Sequence, residues 1–232
     1  MIKNINKSTI VLASNCRDNP TVFNQVKKLI NMKFPKEENL KISIINTARM
    51  GYRNKSRAQL LKDTKIMTKK YKYKERLGNH VLEYIDCSRK SNYAKFEKSI
   101  KNNKIIWVTG GDTLYLMYHL KKSGFDKLLR KRIMKDNIIF VGCCAGAILA
   151  GKSIIPTFID RATKMKKKYY LKNTYKKKHW TKKNNKNSLN LVDNMDIIPH
   201  CNNNLNSKNN IISLRNKRMF CLPEKKQLIF NV

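Results

Sequence analysis

Acidic residues are scarce in this 232-residue chain: 15 Asp and Glu face 51 Lys and Arg, a formal net charge of +36. Taken alone, that imbalance points to a polyanion partner. A compositional reading stands beside it, because 40 Lys and 28 Asn are spread through helical patterns and loops alike, as an A/T-rich coding bias would place them. Long apolar runs are also missing. The best stretch, Ile138 to Gly151, is interrupted by three glycines, and a membrane-spanning helix needs about 18 apolar residues or more. The opening MIKNINKSTIVLASN has no apolar signal-peptide core followed by a cleavage site, so a cytoplasmic protein without membrane contact is expected. Six cysteines with no C-x-x-C spacing are too few for a disulfide framework and do not read as a zinc knuckle. Reduced thiols are the expectation.

The length fits a single domain over residues 1–232 with a sizeable core. Short apolar runs alternate with amphipathic stretches. STIVLA (Ser8 to Ala13) reads as a buried strand. Asn19-Pro20 then opens a helix that places Val22, Val26, Leu29 and Ile30 on one face. LKISIIN from Leu40, HVLEYID from His80, KIIWVT from Lys104 and NIIFV from Asn137 read as further strands. A long basic helix is predicted from about Asn54 to Leu77, and shorter ones at Tyr93 to Lys101, Thr113 to Lys122 and Phe125 to Met134. Met195 to Ile198, Arg218 to Leu222 and Leu228 to Val232 complete the strands. Runs this continuous do not suit a sheet with one wet face. They predict an α/β fold, a doubly wound, mostly parallel sheet with helices on both faces. A Lys/Asn-rich insertion at about residues 161–188 breaks the alternation and reads as an exposed loop.

Glycine is rare enough to be informative. Of eight, five sit at Gly110, Gly111, Gly142, Gly146 and Gly151, directly after two predicted strands. Parallel sheets put their chemistry at the carboxyl ends of strands. The second cluster, Gly142-Cys143-Cys144-Ala145-Gly146, has the form of a nucleophile elbow with sulfur in place of a hydroxyl. A strand-to-helix turn this tight thrusts the central side chain outward and needs small neighbours. The start of a helix is also an electropositive place for a nucleophilic sulfur. The bland alternative is that Cys143 and Cys144 are small packed residues in a glycine-rich turn.

Such a nucleophile needs a base, and the base an orienting partner. Of four histidines, His80 opens a strand, His119 lies in an apolar helix and His179 in the basic insertion. His200 stands at a predicted strand end in IIPHCNN, and Glu224 stands at another in CLPE.

Together VTGGDTLYLMYHL, GCCAGAILAG, IIPHCNN and CLPE, in that order, resemble the peptidase E (aspartyl dipeptidase) family, which also includes the cyanophycinases. The resemblance covers nearly the whole chain. It implies a class I glutamine amidotransferase-like fold, flavodoxin-like in its winding, and a Ser-His-Glu hydrolase acting on short peptides with no metal or other cofactor. Carried over, Cys144 falls at the nucleophile, His200 at the base and Glu224 at the orienting acid. Gly111 and Ala145 fall where backbone amides form the oxyanion hole, and Asp160 falls at a further acid near the site. Two departures stand out. Cysteine replaces the family's serine, and the arginine-rich stretch after the histidine is replaced by Ser207 to Arg218, where only Arg215 and Arg218 stand in.

Other readings stay open. Glutamine amidotransferases carry His and Glu two residues apart, but here Asn202 follows His200 at that spacing. PfpI-type thiol proteins place histidine directly after the cysteine, where this chain has Ala145. A catalytically decayed or PfpI-type protein of the same fold remains an alternative, and so does a zinc site from Cys143, Cys144, His200 and Cys201. A nucleic-acid-binding protein could use Tyr169, Tyr170, Tyr175 and Trp180, which interleave with lysines in the insertion and could stack on unpaired bases.

Overall fold

The computed structural model describes residues 7–17, 19–52, 55–157, 186–201, 211–214, 217–224 and 226–232. Asp160, the tyrosines and tryptophan of the basic insertion, His179 and Arg215 lie outside them.

The main sheet has six strands in the order β3-β2-β4-β5-β1-β9. They are β1 (Thr9–Ala13), β2 (Lys41–Ile45), β3 (Val81–Ile85), β4 (Ile105–Val108), β5 (Ile139–Cys143) and, at the far edge, β9 (Gln227–Asn231). All neighbours pair in parallel except β9, which runs antiparallel to β1. The fold is thus the expected α/β arrangement around a mostly parallel sheet.

Period-two alternation sends successive strand residues to opposite faces. Ile10, Leu12, Ile106, Val108 and Phe140 pack on one side with residues of α4 (Tyr93–Asn102), α5 (Thr113–Ser123), α6 (Phe125–Lys135) and α7 (Ala145–Ala150). Val11, Ala13, Ile105, Trp107, Ile139 and Val141 pack on the other, against Phe23, Val26 and Leu29 of α1 (Pro20–Lys33). With both faces covered, no strand needs a polar side, which is why the sequence runs are continuously apolar. Caps define the helix starts. Pro20 opens α1 where its missing N–H costs nothing, and the Asp112 carboxylate accepts from the N–H groups of Leu114 and Tyr115 at the head of α5.

The long basic helix expected over Asn54 to Leu77 is two helices, α2 (Arg57–Lys70) and α3 (Tyr73–Leu77), separated by Lys72 at φ 51°. The break lets the two serve different cores. Leu60 of α2 packs on the α5 side of the sheet, whereas Tyr73 and Leu77 of α3 join α1 on the other. There Tyr73 meets Phe23 edge-on at 4.7 Å and Trp107 at 5.2 Å between ring centroids.

A second, three-stranded sheet in the order β6-β8-β7 was not anticipated. Its strands are β6 (Asp196–Cys201), β7 (Ile211–Leu214) and β8 (Lys217–Pro223), with β6 parallel and β7 antiparallel to β8.

The thiols also differ from expectation. Cys16 is bonded to Cys143 and Cys201 to Cys221, leaving Cys87 and Cys144 free. The reason is tertiary. Parallel pairing sets Ala13 beside Cys143, so the chain leaving β1 brings Cys16 to it across 127 residues of sequence. Pairing of β6 with β8 does the same for Cys201 and Cys221. No helix among the described residues is long and apolar enough to cross a membrane.

Candidate active site

The elbow forms at the carboxyl end of β5. Cys144 adopts φ 48° and ψ −100° between the strand and α7, a conformation held because its N–H donates to the Ala13 carbonyl at 2.9 Å and its own carbonyl accepts from Ala147 and Ile148. The small flanking residues are required by space. A Cβ on Gly142 would lie 2.6 Å from the Gly146 carbonyl oxygen, and one on Gly146 would meet the Val108 backbone at 2.7 Å. The turn therefore closes only if both positions are glycine.

The Gly110-Gly111 loop after β4 lies against Cys144, with the ideal Cβ position of Gly110 only 3.1 Å from Cys144 Cβ. Gly111 has φ +144° and presses on the backbone of Ala48 and Arg49, closer than any side chain would permit. The Asp112 N–H donates to the Ala48 carbonyl at 2.8 Å. The loop is thereby pinned to the 3-10 turn Thr47–Gly51 that follows β2.

His200 and Glu224 reach the same place from the small sheet. His200 Nδ1 lies 2.5 Å from Glu224 Oε1, and His200 and Cys144 line the same cavity. Interaction with the Cys144 sulfur and with the Glu224 carboxylate outweighs burial and pushes the His200 pKa up to about 9. At neutral pH this imidazole carries its proton. The structure thus brings Cys144 and His200 to one cavity, with Glu224 against the imidazole, Ala145 buried at the first turn of α7 and Gly111 in the facing loop.

The other candidates fall away on position. His119 is buried in α5, where burial lowers its pKa to about 4, and His80 Nδ1 lies 3.0 Å from the Glu38 carbonyl oxygen. Burial pushes the Cys87 thiol up to about 12, which leaves Cys144 as the partly exposed free thiol. Two donors of the zinc alternative, Cys143 and Cys201, are committed to disulfides. Asp160 lies outside the described residues.

A sequence profile of peptidase family S51 matches residues 10–225, nearly the whole chain. The chain belongs to peptidase family S51. Two curated relatives agree: an uncharacterized peptidase of Listeria monocytogenes, 30% identical over 123 residues, and one of Listeria innocua, 32% identical over 129 residues. The matches cover 53% and 56% of this chain and 52% and 53% of the relatives, so the chain spans about half the length of the curated relatives it matches. Among solved structures, a candidate peptidase E protein from Listeria monocytogenes EGD-e superposes with a TM-score of 0.62 at 19% identity, over 97% of this chain and 95% of that one. A peptidase from an acI-B1 Actinobacterium gives 0.58 at 17% identity, over 84% and 69%. Identities this low speak to the fold, which this chain shares with both structures.

Within this S51 chain the site contains residues that no motif announced. Ser14, just past β1, is buried. Its hydroxyl accepts from the His200 N–H at 3.0 Å and donates to the Leu222 carbonyl, tying β1 to the two strands of the small sheet that lead to His200 and Glu224. A cavity of about 260 Å³ opens beside Cys144, with Asn15, Arg17, Arg49, Tyr52, Met67, Tyr73 and Trp107 in its walls. The available signal was positional. Ser14, Arg17, Arg49 and Trp107 all lie at or just beyond the carboxyl ends of β1, β2 and β4, the edge where parallel sheets gather chemistry.

Proposed function

We propose that the protein is a thiol-dependent peptidase of dipeptidase E type, with Cys144 as nucleophile, His200 as acid and base, and Glu224 as the group that orients the imidazole. The observation that carries this reading is the free thiol of Cys144 sharing one cavity with His200, whose imidazole is held by Glu224, at the carboxyl edge of the sheet.

The chemistry follows from the charge state. With His200 protonated at neutral pH, the Cys144 sulfur is paired with an imidazolium. Sulfur attacks the scissile carbonyl carbon of a short peptide and the carbonyl electron pair moves onto oxygen. The amides of Gly111 and Ala145 receive that oxyanion, each such donor being worth roughly 3 to 4 kcal/mol where one has been removed from other enzymes. As the C–N bond breaks, His200 gives its proton to the leaving amine, and a thioester remains on Cys144. His200, now neutral, takes a proton from the attacking water. The C–S bond breaks, and the acid product leaves with the thiolate and imidazolium restored. No step calls for a metal or an organic cofactor.

Alkylation with mass mapping tests the reading. Rapid modification of Cys144 by iodoacetamide, strongly slowed in His200→Ala, is the expected result, together with turnover of a dipeptide panel that Cys144→Ala abolishes. Full turnover by Cys144→Ala would remove the nucleophile assignment.

A further inference from the structure

His200 occupies an irregular place in its strand. Along β6 and β8 the parallel register runs from Asp196 opposite Met219 to Pro199 opposite Leu222, and then slips, so that Cys201 stands opposite Pro223. His200 is the extra residue of a β-bulge. Its φ of 60° lies in the left-handed region that a side chain beyond glycine seldom adopts. A bulge leaves its extra residue outside the ladder and re-aims the side chain. Here the His200 N–H turns to the Ser14 hydroxyl and the imidazole to Glu224.

The backbone around the bulge is poor in donors. Pro199 precedes His200 and Pro223 precedes Glu224, so neither strand has an N–H at the residue before the one it presents. A conformation of this kind persists only where its surroundings over-determine it. A covalent bond joins the two strands at this point. Cys201, directly after His200, is linked to Cys221, three residues before Glu224, with 5.7 Å between their α-carbons. Cys221 is buried, and Cys201 is half-buried at the end of β6. The bond therefore ties the far side of the bulge to the strand that leads to Glu224.

We propose that the Cys201–Cys221 bond is a positioning element of the active site, clamping the bulge so that the His200 imidazole stays against Glu224 and at the cavity that Cys144 lines. The protein then needs Cys144 as a free thiol while Cys201 and Cys221 stay bonded. This rests on the thiol-peptidase reading above, so two readouts keep them apart: the titration of His200 and the labelling of Cys144.

Non-reducing peptide mapping of the purified protein comes first, and free thiols at both Cys201 and Cys221 overturn the proposal. Wild type, the double variant Cys201→Ala with Cys221→Ala, His200→Ala and Ile197→Val are then compared. NMR follows the titration of the His200 imidazole, assigned by its loss in His200→Ala, and mass mapping follows the rate at which iodoacetamide labels Cys144 at neutral pH. Ile197 is a buried core residue of β6, so its truncation loosens packing without touching the bond. The wild-type His200 midpoint is expected at about 9. In the double variant it should fall well below that, toward the ordinary 6.5, and labelling should slow roughly tenfold or more. Ile197→Val should lower the melting temperature and leave both readouts where they were. If it moves them as far as the double variant does, the bond supplies only general stability and the proposal is overturned. Should the double variant fail to fold, Cys201→Ser decides alone, since it breaks the bond at its half-buried end and leaves Cys221 in the core. A midpoint and a labelling rate unchanged without the bond overturn the clamp and leave the nucleophile standing. Wild-type labelling no faster than that of His200→Ala removes the nucleophile reading, and the His200 midpoint then decides the clamp by itself.

Discussion

Cys144 grows from β5 and α7, in which every residue is buried, and its turn is closed by glycines packed on backbone. Its partners stand on lighter supports. His200 ends β6 with its side chain 30% exposed, and Glu224 follows β8 with its side chain 54% exposed. What joins the small sheet to the large one at this point is the Ser14 hydroxyl, which contacts both β6 and β8. Core packing and backbone hydrogen bonds position Cys144, whereas His200 and Glu224, on strands that give the core Ile197 and Leu222, depend further on a few polar contacts and one cross-link.

The largest expected break is on the rigid side. Cys144→Ala should lower kcat/KM by roughly 10⁴-fold or more with the melting temperature little changed, which steady-state kinetics and calorimetry will check. Cys144→Ser, which restores the hydroxyl of the resembling family, should make any remaining activity insensitive to iodoacetamide. Glu224→Gln should cost about 10²-fold in kcat, less than loss of the nucleophile because half of that carboxylate faces water. Ser14→Ala should act on both sides. It leaves the His200 N–H without its acceptor at a cost of roughly 1–3 kcal/mol, read by urea unfolding, and loosens the base so that kcat falls more than KM rises.

The smallest effect is the pH response. The His200 pKa is raised from 6.5 to about 9. The stability this supplies is fully present below pH 6.5 and is lost as pH rises through about 9. The gap in melting temperature between wild type and His200→Ala should therefore narrow from about pH 6 to about pH 10. A gap that widens with pH would reverse the sign and with it the protonated-imidazole mechanism.

The same contrast explains what the sequence made legible. Strands buried on both faces write themselves as unbroken apolar runs, so β1, β2, β4 and β5 could be read directly, as could the elbow, because Gly142 and Gly146 obey local space. His200 and Glu224 were reached through strand ends and motif order. The small sheet was harder. β7 belongs to a short hairpin with no strong pattern, and β6 meets β8 only in three dimensions. The Cys16–Cys143 bond spans 127 residues, so no spacing rule reveals it. The break before Tyr73 depends on which core each half of the helix serves, a question that periodicity within one helix does not pose. Arg49 is one basic residue among 51 until the cavity around it is seen.

The bond between Cys16 and Cys143 forms part of the wall of the cavity that gives access to Cys144. A small thiol such as dithiothreitol, added to keep Cys144 reduced, would act next to that cross-link, whose two cysteines are nearly buried. Activity measured across a range of reductant concentrations would report on the covalent state of this cross-link as well as on Cys144.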